Sequence, residues 1–466
     1  MSDLLYRPLT EQIETLARRK LSPVELMEAT LARIDATRES LNAFTALHER
    51  EQLLARAREA EERITTGRAR PLEGIPLGVK DLEDAAGLVT SQGSLPFREN
   101  VAASDSVQVA RLRAAGAIVV GKTNAPEFGY TAITKNLLFG ASRNPWDLER
   151  TPGGSSGGSS AAIAGGVVSL ATASDGGGSV RLPASFTGCF GLKPSFGRIP
   201  NESDLWVMND TSVQGPLTRT VEDAALHLDL TVGAHPLDPN SLPHPGVSYR
   251  DILADLPRGL RVGWSADLGH AAVQSDVARV AFEASRFFES AHRLEDLRDG
   301  PPVLGREWGL VSAFDLLGEI EHLLPEHEQS FGRAFLRGAL AARRMTPKLW
   351  GDIRRARGAL NRWCADTFER FDLLLTPTVP FDPPPARGPF PEETEGRRQP
   401  PAGVATFTIP FNLSWHPAAT VRAGFSQAGL PVGLQIVAPR HRDDLVLQAA
   451  YAFERARPWA EDWPST

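Results

Sequence analysis

The chain has 466 residues, 42% hydrophobic and 23% charged, with a formal net charge of −7. That balance describes an ordinary globular chain with ample core, and it excludes the basic footprint that nucleic acid or an anionic membrane requires. Two cysteines, Cys189 and Cys364, are too few for a disulfide framework or a cysteine metal cage, and they fit a reducing compartment.

The opening stretch, MSDLLYRPLTEQIETLARRK, has no basic segment leading into an apolar one, so no signal peptide and a cytoplasmic location are expected. The segment SPVELMEATLARI predicts a helix. Ser22 caps it, Pro23 suits its first position, Glu25 completes a capping box, and Val24, Met27, Leu31 and Ile34 share one face. Residues 49–64 predict a second, heavily charged helix on the surface, and GIPLGVKD a short apolar strand. DSVQVARLRAAGAIVVGKTN then predicts a helix, a stop at Gly116 and a buried strand, an α-then-β unit of α/β proteins.

Residues 151–179, TPGGSSGGSSAAIAGGVVSLATASDGGGS, place a short apolar run between two Gly/Ser clusters. A linker would not be interrupted by a core segment, and this run is too short and glycine-broken to span a bilayer. Further on, RGLRVGWSAD predicts a strand, followed by a long helical region to about Phe371 and a strand at DLLLTPTVP. Residues 381–403, rich in Pro, Gly and charge, predict an exposed loop. GLPVGLQIVAP predicts a strand, and a helix follows from about Asp443 to Arg455.

The chemistry is suggested by scarce residues. Only six of the 50 basic residues are lysines, and three of these lie in apolar surroundings: Lys80, Lys122 and Lys193. Desolvation lowers a lysine pKa and leaves a neutral amine able to accept a proton. Lys80, ending the apolar run from Gly74 to Val79, is the candidate, although composition alone does not exclude the other two or a strand-end lysine that reaches solvent. Ser179 follows three glycines, whose backbone freedom lets amide N–H groups converge on one point. A serine needs a base within reach, yet none of the ten histidines lies near these motifs, and only His416 has a motif-like setting. A Ser–Lys arrangement is therefore the leading reading. No phosphate loop, dinucleotide fingerprint or GxSxG elbow accompanies it.

At these residues the sequence closely resembles the amidase signature family. The carrying segments are PLEGIPLGVKD (71–81), GKTNAPEFGY (121–130), NPWDLERTPGGSSGGSSAA (144–162), SDGGGSVRLPASFTGCFGLKPSFGRIP (174–200), GPLTRTVEDAA (215–225) and FTIPFN with GLPVGLQI (407–436). The resemblance implies one α/β/α sandwich over 1–466, with a central mixed, mostly parallel twisted sheet covered by helices on both faces. Within it fall an N-terminal helical layer (1–70) and a signature core (71–230).

By the same resemblance the catalytic triad is Lys80, Ser155 and Ser179, with a cis peptide bond before Ser155. The backbone amides of Gly176, Gly177, Gly178 and Ser179 form the oxyanion hole, and Asp175 and Arg181 brace the loop. The implied activity is amide hydrolysis of a small molecule, without metal or organic cofactor, membrane or nucleic acid, by a monomer or a homodimer. An A subunit of a tRNA-dependent amidotransferase is the alternative, and a catalytically silent binding protein is disfavoured by the intact triad. Three departures stand out. Gly176 replaces the Thr or Ile of many relatives, which predicts a looser oxyanion loop. NLSWHPAA replaces an N-x-x-G-x-P pattern, which predicts an altered pocket, and residues 200–215 are idiosyncratic, with Met208 either at the substrate or in the core. Phe128, Tyr130, Trp206 and Trp415 are the candidate pocket residues.

Overall fold

Leu373 and Leu375 face one hydrophobic cluster and Leu374 the opposite one. This period-two alternation within a strand buried on both sides places helices on each face of the sheet. The structure, a computed structural model, describes residues 2–201, 210–459 and 461–464. Eleven strands form its central sheet: β1 (Phe44–Leu47), β2 (Pro76–Lys80), β3 (Ile118–Thr123), β4 (Leu170–Asp175), β5 (Phe190–Lys193), β6 (Val213–Thr218), β7 (Arg261–Trp264), β8 (Arg293–Asp296), β9 (Leu373–Pro377), β10 (Ala418–Phe425) and β11 (Pro431–Val437). Their order across the sheet is β1-β3-β2-β4-β6-β5-β10-β11-β9-β7-β8.

The sheet is mixed and helix-covered, as the resemblance implies. Parallel pairing occurs in two blocks, β3-β2-β4 and β9-β7-β8, and the remaining neighbours run antiparallel. The hairpin from β10 to β11 shows why, since a connection of only a few residues can join antiparallel strands alone. One cluster packs β5, β7, β9, β10 and β11 against the helices Val221–Thr231, Ser275–Ser285 and Asp443–Ala456. Two others bury β2, β3 and β4 beneath the N-terminal helices.

Local sequence rules account for several elements. The helix Pro23–Leu41 has the predicted capping box: Glu25 N–H donates to Ser22 Oγ at 3.0 Å, and Ser22 N–H to the Glu25 carboxylate at 2.8 Å. Residues 305–370 divide into the helices Gly305–Ile320, Leu324–His327, Arg333–Leu340 and Pro347–Arg370, with short 3₁₀ turns among them. Residues 381–403 carry a small hairpin, Glu393–Thr394 with Arg397–Arg398, tethered where Gln399 Nε2 donates to Ala272 O at 2.7 Å. No helix among the described residues is long and apolar enough to cross a membrane.

Candidate active site

β2 and β4 are parallel neighbours, with Leu77 opposite Leu170 and Gly78 opposite Ala171. Their carboxyl ends therefore lie at the same edge of the sheet, where α/β folds place ligands. β2 ends there on Lys80, and β4 ends on Asp175, from which the turn Gly176–Val180 leads into the helix Arg181–Thr187. The other Gly/Ser turn, which carries Ser155 and Ser156, leads into the helix Gly157–Ala164, whose residues are all buried. The two turns meet where Ser156 N–H donates to the Ser179 carbonyl at 3.3 Å.

Lys80 has no solvent exposure. Its Nζ donates to Ser155 Oγ at 2.8 Å, to Ser174 Oγ at 2.9 Å and to Ser174 O at 3.4 Å, all uncharged oxygens. Burial lowers its pKa to about 7, against the opposing pull of Asp175 and Glu83. The amine is thus poised to be neutral near physiological pH. Ser155 follows a cis peptide bond from Gly154. A side chain at 154 would put its Cβ 2.7 Å from the Ala132 carbonyl carbon, so glycine alone allows this approach.

The other two lysines are occupied otherwise. Lys122 lies 3.7 Å from Asp81 and donates to Glu83 O and Thr90 Oγ1. Lys193, whose pKa burial also lowers to about 7, donates to Pro194 O at 2.9 Å. Only Lys80 bonds a serine of the two turns. His416 stacks on Phe368, shares a 2.8 Å bond with Ser414 Oγ, and is held neutral by burial, with a pKa of about 3. It stands apart from the serines.

Asp175 and Arg181 form a fully buried pair, with Nη2 to Oδ1 at 2.9 Å and Nε to Oδ2 at 3.0 Å. Burial pushes the Asp175 carboxyl up, but Arg181 outweighs it and holds the pKa at about 2. Arg181 also donates to Gln435 Oε1 at 2.7 Å and Asn412 Oδ1 at 2.6 Å, tying the turn to β11 and to the helix Ile409–Leu413. The turn that its glycines predict to be loose is held at several points.

Ser179 and Gly177 line a cavity of about 450 Å³. Its walls include Tyr130, Leu182, Trp308, Phe390, Val404 and Ala405, and Glu392, Arg398 and Gln399 add polar groups. Tyr130 therefore lines this cavity, whereas two other pocket candidates do not. Phe128 is 5% exposed and packs in the core, edge-on to Phe97 and stacked on Phe335. Trp415 stacks on Phe196 and lines a separate depression with Arg357 and Arg440, so the NLSWHPAA departure does not reshape this cavity through its tryptophan. Aromatic character in a motif does not distinguish a core face from a cavity wall. Trp206 and Met208 lie outside the described residues.

Residues that sequence reasoning missed include Ser174, which shares Lys80 Nζ with Ser155, and Trp308, whose Nε1 donates to Gly176 O at 2.8 Å. The former sits in the quoted SDGGGS segment and was within reach of a strand-end reading. The latter carries no local signal, because it comes from a distant helix.

The Amidase family model matches residues 25–297 and 323–447. The chain is a member of the amidase signature family. This amidase is 38% identical to an acylamidase of Rhodococcus erythropolis, across 99% of its own length and 98% of that protein's. It is 33% identical to the A subunit of a glutamyl-tRNA(Gln) amidotransferase of Geobacter sp. (strain M21), across 96% of each chain. A bacterial aryl acylamidase of the same family superposes with a TM-score of 0.92 at 30% identity, covering 98% of the amidase and 97% of that chain. The corresponding amidotransferase subunit of Thermotoga maritima gives a TM-score of 0.78 at 25% identity, covering 98% and 96%. The protein is an amide hydrolase, and the amidotransferase-subunit reading is the less supported one.

Proposed function

We propose that the amidase cleaves the C–N bond of small carboxamides with an apolar acyl or aryl group through an acyl-enzyme on Ser179. The reading rests above all on the 2.8 Å bond between fully buried Lys80 and Ser155. Neutral Lys80 takes the Ser155 proton as Ser155 takes that of Ser179, and Ser179 Oγ attacks the amide carbon. The amides of Gly176 to Ser179 receive the oxyanion, and losing one such donor commonly costs about 100- to 1000-fold in rate. Collapse breaks the C–N bond, and Ser155 protonates the departing amine while Lys80 returns a proton to Ser155. Water then attacks the ester, gives its proton to the same relay, and releases the acid as Ser179 regains its hydrogen.

The apolar walls of the cavity favour an apolar acyl or aryl group, in keeping with the acylamidase relatives. Two buried, unpaired cysteines suit a cytoplasmic location. Mass spectrometry of the enzyme quenched during turnover is expected to find the acyl mass on the peptide containing Ser179. Full activity in Ser179→Ala overturns the assignment.

A further inference from the structure

Asp175, Gly176, Gly177 and Gly178 contribute four successive carbonyls, and each accepts a close hydrogen bond. Asn412 Nδ2 donates to Asp175 O at 2.7 Å, Trp308 Nε1 to Gly176 O at 2.8 Å, and Thr408 Oγ1 to Gly177 O at 2.6 Å. The fourth, Gly178 O, receives Leu182 N–H at 2.7 Å from the first turn of the following helix. Both cis bonds among the described residues lie elsewhere, at 154–155 and 388–389. In a trans peptide the carbonyl and the next N–H point in opposite directions within one rigid plane. Holding the four carbonyls therefore turns the N–H groups of Gly176, Gly177, Gly178 and Ser179 the other way. Those four amides have no acceptor among the described residues, and Gly177 and Ser179 border the cavity.

From this we infer that Trp308 and Thr408, together with Asn412, are positioning residues that aim the oxyanion donors of this amidase. The inference rests on the reading of Ser179 as nucleophile. Trp308 also fills the space beside Gly177: a Cβ there would sit 2.5 Å from Trp308 Cζ2, so only glycine lets the indole lie against the backbone. Gly176 has no side chain of its own, and the indole reaches in from the helix Gly305–Ile320 to fasten its carbonyl. Free rotation of two glycine peptides would scatter the donors, and preorganised donors are the ones that lower a barrier.

Trp308→Phe keeps most of the ring and removes the donor, and Thr408→Val keeps the volume and removes the hydroxyl. For a carboxamide the wild-type enzyme hydrolyses, each is expected to lower kcat about 10-fold, less than an oxyanion donor removed outright. KM is expected to stay within about twofold, because the ground-state carbonyl uses these donors less than the oxyanion does. The affinity of phenylboronic acid, which forms a tetrahedral adduct on a serine, is expected to fall by the same factor as kcat. A folded Trp308→Phe or Thr408→Val with kcat and boronate affinity within twofold of wild type overturns the inference, as does a loss confined to KM. Ser179→Ala, run alongside, separates the two levels: residual full activity there refutes the nucleophile, whereas unaffected Trp308→Phe refutes only the positioning role.

Discussion

Lys80 Nζ reaches Ser155 Oγ across 2.8 Å, although 75 positions separate the two residues in the chain. The contact exists because β2 ends beside β4 and the Ser155 turn folds over their shared edge. Its chemistry depends on which partner holds the proton, and that depends on burial.

With a Lys80 pKa of about 7, the neutral base accumulates as pH rises. The rate kcat/KM is therefore expected to climb with pH through an apparent pKa near 7 and then level off. Lys80→Arg keeps a cation that does not deprotonate in this range, and is expected to lose about 100- to 10,000-fold in kcat at every pH. A pH profile of the wild type that stays flat from 6 to 8 would contradict the role of the amine.

The Asp175–Arg181 pair is completely buried, so removing one partner strands the other. Arg181→Met is expected to destabilise the fold by about 3–5 kcal/mol, as buried pairs do when broken on one side. Chemical denaturation measures this directly, and a loss below about 1 kcal/mol would show that the carboxylate finds another partner.

Gly177→Ala forces a methyl against the Trp308 ring. The site is at a cavity wall, so the fold is expected to survive with a melting temperature near that of wild type, while activity falls at least about 10-fold. Combining it with Trp308→Ala, which vacates the space, is expected to add little further loss. Fully multiplicative losses would indicate that the two positions are uncoupled.

Glu454 offers a test of stability against pH. Burial, reinforced by Asp223 and Glu222, raises its pKa to about 8 despite the opposing Val221 N–H. The folded state thus holds a proton that the unfolded chain, with a pKa near 4.5, releases. Its stabilising contribution is full below about 4.5 and is lost as pH rises through 8. Glu454→Gln is expected to gain in melting temperature relative to wild type between pH 5 and 9. A pH-independent difference between the two proteins would refute the shift.

Much of the architecture was legible locally. The Ser22 capping box, the helix-stop-strand unit ending in β3, and the strands at Leu373–Pro377 and Pro431–Val437 follow from capping chemistry, periodicity and punctuation, which are short-range. The strands at Phe44–Leu47, Leu170–Asp175, Phe190–Lys193, Val213–Thr218, Arg293–Asp296 and Ala418–Phe425 carry no such local signal. Their four to eight residues carry too little pattern to separate them from loop or buried helix, and pairing with distant strands decides them.

The same division holds at the site. The chain by itself supplied the reacting groups: a lysine ending an apolar run, two serines on glycine turns, and no histidine in attendance. It also exposed three lysines in apolar surroundings, and although Lys80 led them by ending an apolar run, composition alone did not exclude the other two. The tertiary structure separates them by their partners: Lys80 and Lys122 meet groups from other strands or turns, Ser155 and Ser174 for the one and Asp81 for the other, whereas Lys193 bonds only the carbonyl of the next residue, Pro194. It likewise moved Phe128 and Trp415 away from the cavity and brought Trp308 to it. Side-chain chemistry is a property of residues, but the desolvation and orientation that activate it belong to surroundings assembled from residues far apart in the chain.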